Sequence, residues 1–369
     1  MPISKLRVMV VDDTIIYRKI LKDVIESLEN AETVASASNG KLALRKIETH
    51  KPELILLDVE MPEMDGLEAL KVIKQKFPEI GVIMVSGINE RQAAITMEAL
   101  QRGAIDFVPK PIGRNMHENI KFLTDSLKPI VNLFLTRHAA SGARDKIESD
   151  IAEKKTVISS SFNSKPKKPI PQKTPLPKRF DVMVIGVSTG GPNALAGFIP
   201  ELPADLGVPI LLVQHMPPMF TKSLANHLNA KSAIEVTEAI NNQILEKNKV
   251  YVAPGGKHMV ISEKHGQTVI EIIDSPPVNS CKPSVDVLFD SVAKIYKNNV
   301  LSVIMTGMGA DGMSGVEKLK QTGCYSITQS EKSCVVYGMP RAVAEAGFSD
   351  ESVDLDKMSA RVTSLIKKR

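Results

Sequence analysis

Cysteine is scarce in this chain, and tryptophan is absent. The three cysteines, Cys281, Cys324 and Cys334, are an odd number in 369 residues, so they do not form the disulfide framework of a secreted scaffold. No apolar run is long enough to span a bilayer, and the acidic pair Asp12 and Asp13 interrupts any hydrophobic core of a signal peptide. We therefore expect a cytoplasmic protein that does not insert into membranes.

Basic residues are unevenly distributed along the chain. The formal net charge is +5, but residues 154–179 contain seven lysines and one arginine with no acidic residue. The rest of the chain is therefore slightly acidic, and the basic excess does not create a nucleic-acid-binding surface on the folded parts. A hydrophobic content of 43% and a length of 369 residues are typical of two or three globular domains.

Short strand-like runs alternate with helical patterns in residues 1–128, which predicts βαβ units and an open parallel sheet. Polar residues follow the C-terminal ends of these runs, where open α/β sheets bind ligands. Three of them are carboxylates that would repel one another without a cation, and Mg²⁺ prefers such oxygen ligands. A nearby lysine and hydroxyl could hold phosphoryl oxygens. The residues of this predicted site are Asp12, Asp13, Asp58, Ser86 and Lys110. Next to them, Thr14 is placed to cap the first helix.

The same segment carries the motifs Asp12-Asp13, Asp58 with Met61-Pro62 and Asp65-Gly66, Ser86-Gly87, and Lys110-Pro111. With these motifs it resembles a response-regulator receiver domain along its whole length. The resemblance implies that Asp58 accepts a phosphoryl group from a histidine kinase, and that Asp12, Asp13 and Asp58 hold Mg²⁺. It also implies that Ser86 and Lys110 contact the phosphoryl group and that Phe107 is an aromatic switch residue. The Lys110-Pro111 bond is expected to be cis.

Residues 129–179 are predicted to link two domains. Helical patterns continue to about residue 135 and return over residues 145–155, after which prolines and lysines dominate. Proline removes hydrogen-bond donors and like charges repel, so we expect a semi-extended, solvated tether. Docking of the basic run on an acidic partner or on lipid head groups is the alternative.

Strand and helix patterns alternate again over residues 180–369, with a different set of polar residues. A β-branched run from Val182 to Val187 leads into Ser188, and two glycines and Pro192 follow, which predicts a strand, a tight turn and a helix. Residues 186–190 match the G-x-S-x-G spacing of a nucleophile elbow, although a phosphate-binding loop or a purely structural turn has the same pattern. His215 and Asp311 follow two further strand-like runs, residues 210–214 and 300–305.

These three residue types suit nucleophilic catalysis if the fold brings them together. A serine hydroxyl attacks a carbonyl carbon only when a base takes its proton, which histidine does near neutral pH. A carboxylate behind the histidine fixes its tautomer and stabilises the imidazolium. Singly, His215 could be a structural histidine and Asp311 a turn residue, but their equivalent positions after strands favour a triad with Ser188. The chain order Ser, His, Asp disfavours the α/β-hydrolase fold.

Several longer motifs of this segment are similar to those of the chemotaxis protein-glutamate methylesterases, the CheB family. They are residues 186–191 (GVSTGG), 213–216 (VQHM), 253–258 (APGGKH), 282–286 (KPSVD), 306–312 (TGMGADG) and 335–340 (VVYGMP). The resemblance implies Ser188 as nucleophile, His215 as base and then acid, and Asp311 as its orienter. The backbone N–H of Met308 is the expected oxyanion donor, with amides near Thr189 as a further candidate.

The chain departs from the family pattern at Cys281-Lys282, where the family usually has His-Arg. Lysine keeps the charge but lacks the planar, bidentate donor geometry of arginine. No C-x-x-C or H-x-x-H spacing accompanies Cys281, so the sequence does not predict a zinc site. His258 is expected to be structural.

The sequence thus predicts an α/β protein with two doubly wound parallel-sheet domains. The first is a flavodoxin-like receiver domain (1–128) that binds Mg²⁺, and the second is a Rossmann-like methylesterase domain (180–369) without a cofactor. A linker (129–179) joins them. The expected function is a phosphorylation-activated serine hydrolase that demethylates chemoreceptor glutamates and deamidates specific glutamines, with a histidine kinase as phosphodonor and no nucleic-acid partner. Two alternatives stay open at this point, namely a nucleotide-binding or nucleic-acid-binding output domain, and a catalytically silent scaffold of the same fold.

Overall fold

The computed structural model describes residues 5–111, 115–151 and 175–367. The described residues form an N-terminal and a C-terminal unit, each built around a parallel sheet. None of the helices found among them combines the length and the apolar character needed to cross a membrane.

The N-terminal unit contains a five-stranded sheet in the order β2-β1-β3-β4-β5. Strand β1 pairs in parallel with β2 and β3, and β3 pairs in parallel with β4. This is the flavodoxin-like order, which confirms the predicted doubly wound topology. Its strands are β1 Leu6–Val11, β2 Ala31–Ala37, β3 Leu54–Asp58, β4 Gly81–Ser86 and β5 Asp106–Pro109, and its helices are α1 Ile15–Glu26, α2 Gly40–His50, α3 Gly66–Lys76, α4 Glu90–Gln101 and α5 Met116–Ile151.

Local sequence explains most helix starts of this unit. Asn39, Asp65 and Asn89 occupy N-cap positions, and their side chains accept hydrogen bonds from backbone N–H groups of the first turn. At α3, Glu68 completes a capping box with Asp65. Thr14 is at the N-cap of α1 as expected, but its hydroxyl donates to Asp13 Oδ1 at 3.0 Å and makes no capping bond.

Two expectations for this unit differ from the structure. The Lys110-Pro111 bond is not cis, and the cis bond among the described residues is Lys282-Pro283. Helix α5 is continuous to Ile151, whereas the sequence pattern predicted a break after about residue 135. The basic, proline-rich run of the predicted linker lies outside the described residues, so the boundaries at residues 128 and 180 stay predictions.

The C-terminal unit is larger. Its main sheet has seven parallel strands in the order β15-β14-β13-β6-β7-β10-β8, and a three-stranded sheet, β11-β12-β9, contains antiparallel pairs. The strands are β6 Val182–Val187, β7 Ile210–Gln214, β8 Glu235–Glu238, β9 Gln243–Ile244, β10 Lys249–Val252, β11 His258–Lys264, β12 Gln267–Ile273, β13 Val300–Ile304, β14 Tyr325–Gln329 and β15 Glu351–Val353. The helices are α6 Gly191–Phe198, α7 Phe220–Asn229, α8 Val285–Tyr296, α9 Met313–Gln321, α10 Met339–Glu345 and α11 Leu355–Lys367.

The position of β6 explains where a site can form. The chain proceeds from β6 to β7 on one side and returns much later to β13 on the other side, so the strand order reverses at β6. Open α/β sheets bind ligands at such a switch point, beyond the C-terminal strand ends. Strands β6, β7 and β13 are completely buried, and Leu288 and Phe289 of α8 pack into the core that covers them. Burial of each such side chain contributes about 2 kcal/mol to the free energy of unfolding. The loops that follow these strands therefore begin at a well-packed part of the sheet.

Candidate functional site

Strand register places Ser188 and His215 side by side. Val187 of β6 pairs with Gln214 of β7, so the next residue of each strand, Ser188 and His215, leaves the sheet at the same level. The His215 N–H still donates to the Val187 carbonyl at 3.2 Å, and the Ser188 N–H donates to the Thr306 carbonyl at 3.0 Å. The three loops that follow β6, β7 and β13 therefore meet at one edge of the sheet.

The turn after Ser188 has the conformation that its sequence predicts. Gly190 is the N-cap of α6 with φ +74°, a left-handed conformation that glycine adopts without strain, and Pro192 occupies the first turn of the helix. Gln214 is buried, and its amide donates to the Ser188 carbonyl at 3.0 Å. The backbone of Ser188 is thus held, while its hydroxyl makes no hydrogen bond with the part of the chain that the structure describes.

The loop after β13 approaches Ser188 closely. A Cβ atom at Gly307 would lie 2.8 Å from Cβ of Ser188 and 2.4 Å from Sδ of Met339, so this approach requires glycine. The next residue is Met308, whose N–H has no acceptor in the described part of the chain. Met308 thus has a free N–H one residue after the point where this loop contacts Ser188, which makes it a candidate oxyanion donor.

His215 and Asp311 are in direct contact. His215 Nε2 lies 2.8 Å from Asp311 Oδ2, and the His215 side chain is 13% exposed. Burial disfavours the imidazolium, but hydrogen bonds with Asp311 and Cys281 outweigh it and raise the pKa of His215 to about 9. Burial by itself would raise the pKa of Asp311, yet the hydrogen bond and the charge of His215, with further donors, hold that pKa well below its usual range.

Asp311 receives an unusually complete set of hydrogen bonds. Its carboxylate accepts from the Val285 N–H at 2.7 Å and the Asp286 N–H at 3.3 Å, which are the first amides of α8. It also accepts from the Ser284 hydroxyl at 2.9 Å and from the Asn279 amide at 3.0 Å. Free N–H groups and the helix dipole stabilise an anion at a helix N-terminus. The carboxylate is thereby kept charged and fixed in one orientation.

The second nitrogen of the imidazole faces a thiol. Cys281 Sγ lies 3.5 Å from His215 Nδ1, and Cys281 is half-buried with a free thiol. From the sequence, Cys281 is a departure from the family pattern at which no zinc site is predicted, and its position beside His215 was not foreseen. Its neighbour Lys282 forms an ion pair with Asp274 at 2.5 Å.

His258 is completely buried, and both of its ring nitrogens have partners. Its Nδ1 accepts from the Ser284 N–H at 3.1 Å, and its Nε2 donates to the Pro276 carbonyl at 3.1 Å. His258 therefore has the structural position that we expected.

The N-terminal unit has a second cluster of polar residues at its own sheet edge. Asp12, Asp13 and Asp58 each have a carboxylate oxygen within 4.8 Å of the others. Lys110 Nζ lies 2.7 Å from both Asp12 Oδ2 and Asp58 Oδ2. Burial raises the pKa of Asp58 to about 6, although Lys110 opposes this effect. Three converging carboxylates fit a hard divalent cation such as Mg²⁺.

The other predicted residues of this unit lie on neighbouring strands. Ser86 is the last residue of β4, is buried, and receives a hydrogen bond from the Thr96 hydroxyl at 2.9 Å. Phe107 lies in β5 and is half-buried. Since β4 is next to β3 in the sheet, the Ser86 side chain and the end of β3 at Asp58 belong to the same edge.

Comparisons with known proteins match both units. A family model described as CheB methylesterase matches residues 183–362, and one described as a response regulator receiver domain matches residues 8–121. The chain is 44% identical over 367 residues to the protein-glutamate methylesterase/protein-glutamine glutaminase of Desulfotalea psychrophila, with 99% of each chain covered. It is 38% identical to the protein of the same name from Trichodesmium erythraeum, over 97% of this chain and 98% of that one. The chain belongs to the CheB methylesterase family.

A solved structure supports the same assignment for the C-terminal unit. The CheB methylesterase catalytic domain of Thermotoga maritima is 40% identical and has a TM-score of 0.50, covering 50% of this chain and 98% of that structure. The resemblance noted from the sequence motifs is thus confirmed. The alternative of a nucleotide-binding or nucleic-acid-binding output domain gains no support from these matches.

Several residues at this CheB-family site were not singled out from the sequence. Ser284, Asn279 and Gln214 hold Asp311 or Ser188 through hydrogen bonds. For Ser284 a signal was available, because the run Pro-Ser-Val-Asp before an apolar stretch is typical of a helix N-terminus. No comparable pattern marks Asn279, whose contacts depend on a turn that meets residues far along the chain.

Proposed function

We propose that this chain hydrolyses methyl esters of glutamate side chains in chemoreceptors, releasing methanol, and deamidates specific glutamines by the same route. The observation that carries the proposal is the buried His215–Asp311 pair at the sheet edge where Ser188 leaves the neighbouring strand. An ester and a primary amide pass through the same kind of tetrahedral intermediate, so one site can serve both reactions.

Ser188 is the proposed nucleophile and His215 the proposed base. Because Nε2 of His215 is committed to Asp311, the nitrogen available to a serine proton is Nδ1. No hydrogen bond joins the Ser188 hydroxyl to His215 among the described residues, so the proposed reaction requires this unbonded hydroxyl to turn towards Nδ1. The thiol of Cys281, which now faces Nδ1 at 3.5 Å, would have to give way.

The reaction then follows the two stages of acyl transfer. The serine oxygen bonds to the carbonyl carbon as its proton passes to His215, and the imidazolium protonates the leaving methanol or ammonia. Water attacks the acyl-enzyme with His215 again as the base, which frees the glutamate carboxylate and restores Ser188. Met308 N–H is the proposed donor to the oxyanion in both stages, since it has no acceptor of its own.

Asp311 is proposed to orient His215 rather than to take its proton. Its carboxylate has donors from α8, Ser284 and Asn279 that all favour the ionised form. A permanent anion at Nε2 keeps the proton on that nitrogen and leaves Nδ1 free to act as a base.

We propose that Asp58 is phosphorylated by a histidine kinase and that this event activates the esterase. Asp12, Asp13 and Asp58 would hold Mg²⁺, which neutralises phosphoryl oxygens when it is bound. Lys110 lies close enough to Asp58 to pair with the added phosphoryl group, and Ser86 and Phe107 would respond to it. A shift between less active and more active populations is the simplest form of such regulation.

Methanol release from a methylated receptor tests the chemistry. We expect Ser188→Ala to lose at least about 10³-fold in rate, because the nucleophile is removed. Ser314→Ala is the control, since it makes the same change elsewhere in this unit. Full activity in Ser188→Ala would overturn the proposed chemistry. Separately, Asp58→Asn should abolish stimulation by a phosphodonor, and unchanged stimulation would overturn the regulation.

A further inference from the structure

We propose that His215 and Cys281 form a reversible binding site for a thiophilic divalent cation such as Zn²⁺, and that the bound ion inhibits the esterase. The inhibition rests on the proposed function, whereas the binding does not. Imidazole nitrogen and thiolate sulfur are the two commonest zinc donors in proteins. Asp311 also has a carboxylate oxygen within 4.8 Å of these donors, but it is hydrogen-bonded to the other ring nitrogen, so the ion has two protein donors.

The separation of the two donors fits a shared ion. His215 Nδ1 and Cys281 Sγ are 3.5 Å apart. A tetrahedral zinc ion with usual Zn–N and Zn–S bond lengths places those two atoms about 3.6 Å apart. An ion can therefore enter between them without a movement of the backbone. On binding, the thiol gives its proton to the solvent and its sulfur lone pair to the metal, with no change in oxidation state.

The opposite side of the imidazole is also arranged as in known metal sites. A histidine that binds a metal usually donates its other N–H to a carboxylate, which fixes the ring orientation and raises its basicity. His215 Nε2 has such a partner in Asp311 at 2.8 Å. Asp311 is itself held by the Ser284 hydroxyl and the α8 amides, so the ring is already oriented with Nδ1 towards Cys281.

A hydrogen-bonded turn positions the backbone of Cys281. Val278 and Cys281 exchange two backbone hydrogen bonds, of 2.8 and 3.1 Å, across a two-residue turn. The two central residues, Asn279 and Ser280, have φ of +52° and +62°, as in a type I′ turn. The Asn279 amide donates to Asp286 at 2.8 Å and to Asp311 at 3.0 Å, which attaches the turn to the frame that orients His215.

Occupation of this site would stop catalysis for a simple reason. The ion takes the Nδ1 lone pair, which is the one we assign to the serine proton. Two protein donors leave the remaining coordination positions to water, so the ion can leave again, unlike one in a four-ligand structural site. No local spacing motif predicts this pair, because the donors are 66 residues apart in the sequence.

The experiment uses the full-length Ser188→Ala protein, so that binding is measured without turnover, in excess Mg²⁺ to occupy the acidic cluster. Titration with Co²⁺ should produce a thiolate-to-cobalt charge-transfer band, and Zn²⁺ should remove it by displacement. Cys281→Ala should eliminate the band and weaken Zn²⁺ binding at least about tenfold. Cys334→Ala is the control, because it removes a buried thiol that does not face His215.

Inhibition is measured separately in proteins that retain Ser188. The measured quantity is the Zn²⁺ concentration that halves the rate of methanol release, and each variant is compared with its own rate without added metal. We expect Cys281→Ala and the smaller change Cys281→Ser to raise that concentration at least about tenfold, and a chelator to restore the rate. Absence of the band, or equal Zn²⁺ binding with and without the Cys281 thiol, overturns the site. Binding without inhibition in an active esterase overturns only the inhibitory role, and binding to a protein with no esterase activity overturns only the proposed function.

Discussion

The two carboxylates Asp58 and Asp311 have similar positions in their sheets but opposite electrostatic properties. Asp58 is the last residue of β3, and Asp311 lies in the loop that follows β13. Both are almost fully buried, with 3% exposure. Burial raises the pKa of Asp58 to about 6, whereas His215 and neighbouring donors hold the pKa of Asp311 well below its usual value. The sheet topology therefore determines where these two carboxylates lie, and the neighbouring hydrogen-bond donors determine how readily each one ionises.

The reason for the difference lies in the number and kind of partners. Asp58 has one lysine, which it shares with Asp12, and a second carboxylate close by that opposes its ionisation. Asp311 has backbone amides, a hydroxyl, an amide side chain and an imidazole. A carboxylate with few donors is suited to gaining a cation and a phosphoryl group, whereas one with all its acceptors occupied is suited to orienting a base.

The largest effect should come from Asp311→Asn. The amide cannot stabilise an imidazolium and favours the wrong histidine tautomer, so kcat for methanol release should fall about 10⁴-fold. Asp290→Asn is the matched control, because Asp290 pairs with Lys294 and Lys318 at the surface. Loss of less than tenfold in a protein with an unchanged melting temperature would show that Asp311 does not orient the base.

Gly307→Ala should have the next largest effect. The added methyl group would collide with Cβ of Ser188 and Sδ of Met339, which displaces the serine or the Met308 amide by a few tenths of an ångström or more. We expect about a 10²-fold fall in kcat/KM and a loss of about 2 kcal/mol in the free energy of unfolding. Gly197→Ala in α6 has open space around its new methyl group and should keep full activity.

The pH dependence of activity should follow His215. The base must be neutral, and its pKa in the resting protein is about 9, so kcat/KM should rise from neutral to alkaline pH with a midpoint near that value. Because the hydrogen bond with Cys281 contributes to the raised pKa, Cys281→Ala should move the midpoint to lower pH. A pH profile that is flat across this range, or that is the same in both proteins, contradicts this assignment.

The smallest effect should come from Lys282→Ala. Lys282 pairs with Asp274, whose side chain is 61% exposed, so solvent screens the pair and its loss should change the free energy of unfolding very little. Methanol release should be within about twofold of the unchanged protein, since Lys282 does not contact the His215–Asp311 pair. A much larger loss would indicate that the lysine replaces a function of the family's usual arginine.

The sequence alone predicted the central strands of the two parallel sheets and the polar residues that follow them. Mainly apolar runs rich in Val, Ile and Leu predicted β1, β3, β6, β7 and β13, because a strand buried on both faces needs such residues. Ser188 and His215 followed directly from where these runs end. Strands β8 to β12 were not predicted, since several are two to four residues long and partly exposed, which leaves little periodicity to detect.

The parts that could not be predicted depend on contacts between distant residues. Asp311 meets Asn279 and His215 across 32 and 96 positions, and no local pattern encodes these separations. The same is true of the thiol of Cys281 beside His215. Even a local prediction was incomplete at Thr14. The sequence correctly placed it at the start of α1 but did not indicate that its hydroxyl would donate to the Asp13 carboxylate instead of capping the helix.

Labelling with a fluorophosphonate, followed by mass spectrometry of the modified peptide, tests the central claim most directly. Such a probe reacts with a serine only when a nearby base activates it. We expect one adduct, on Ser188, in the unchanged protein, and at least about a 10²-fold slower reaction in His215→Ala. Modification of a different residue, Cys281 included, or a rate on Ser188 that does not depend on His215, would contradict it.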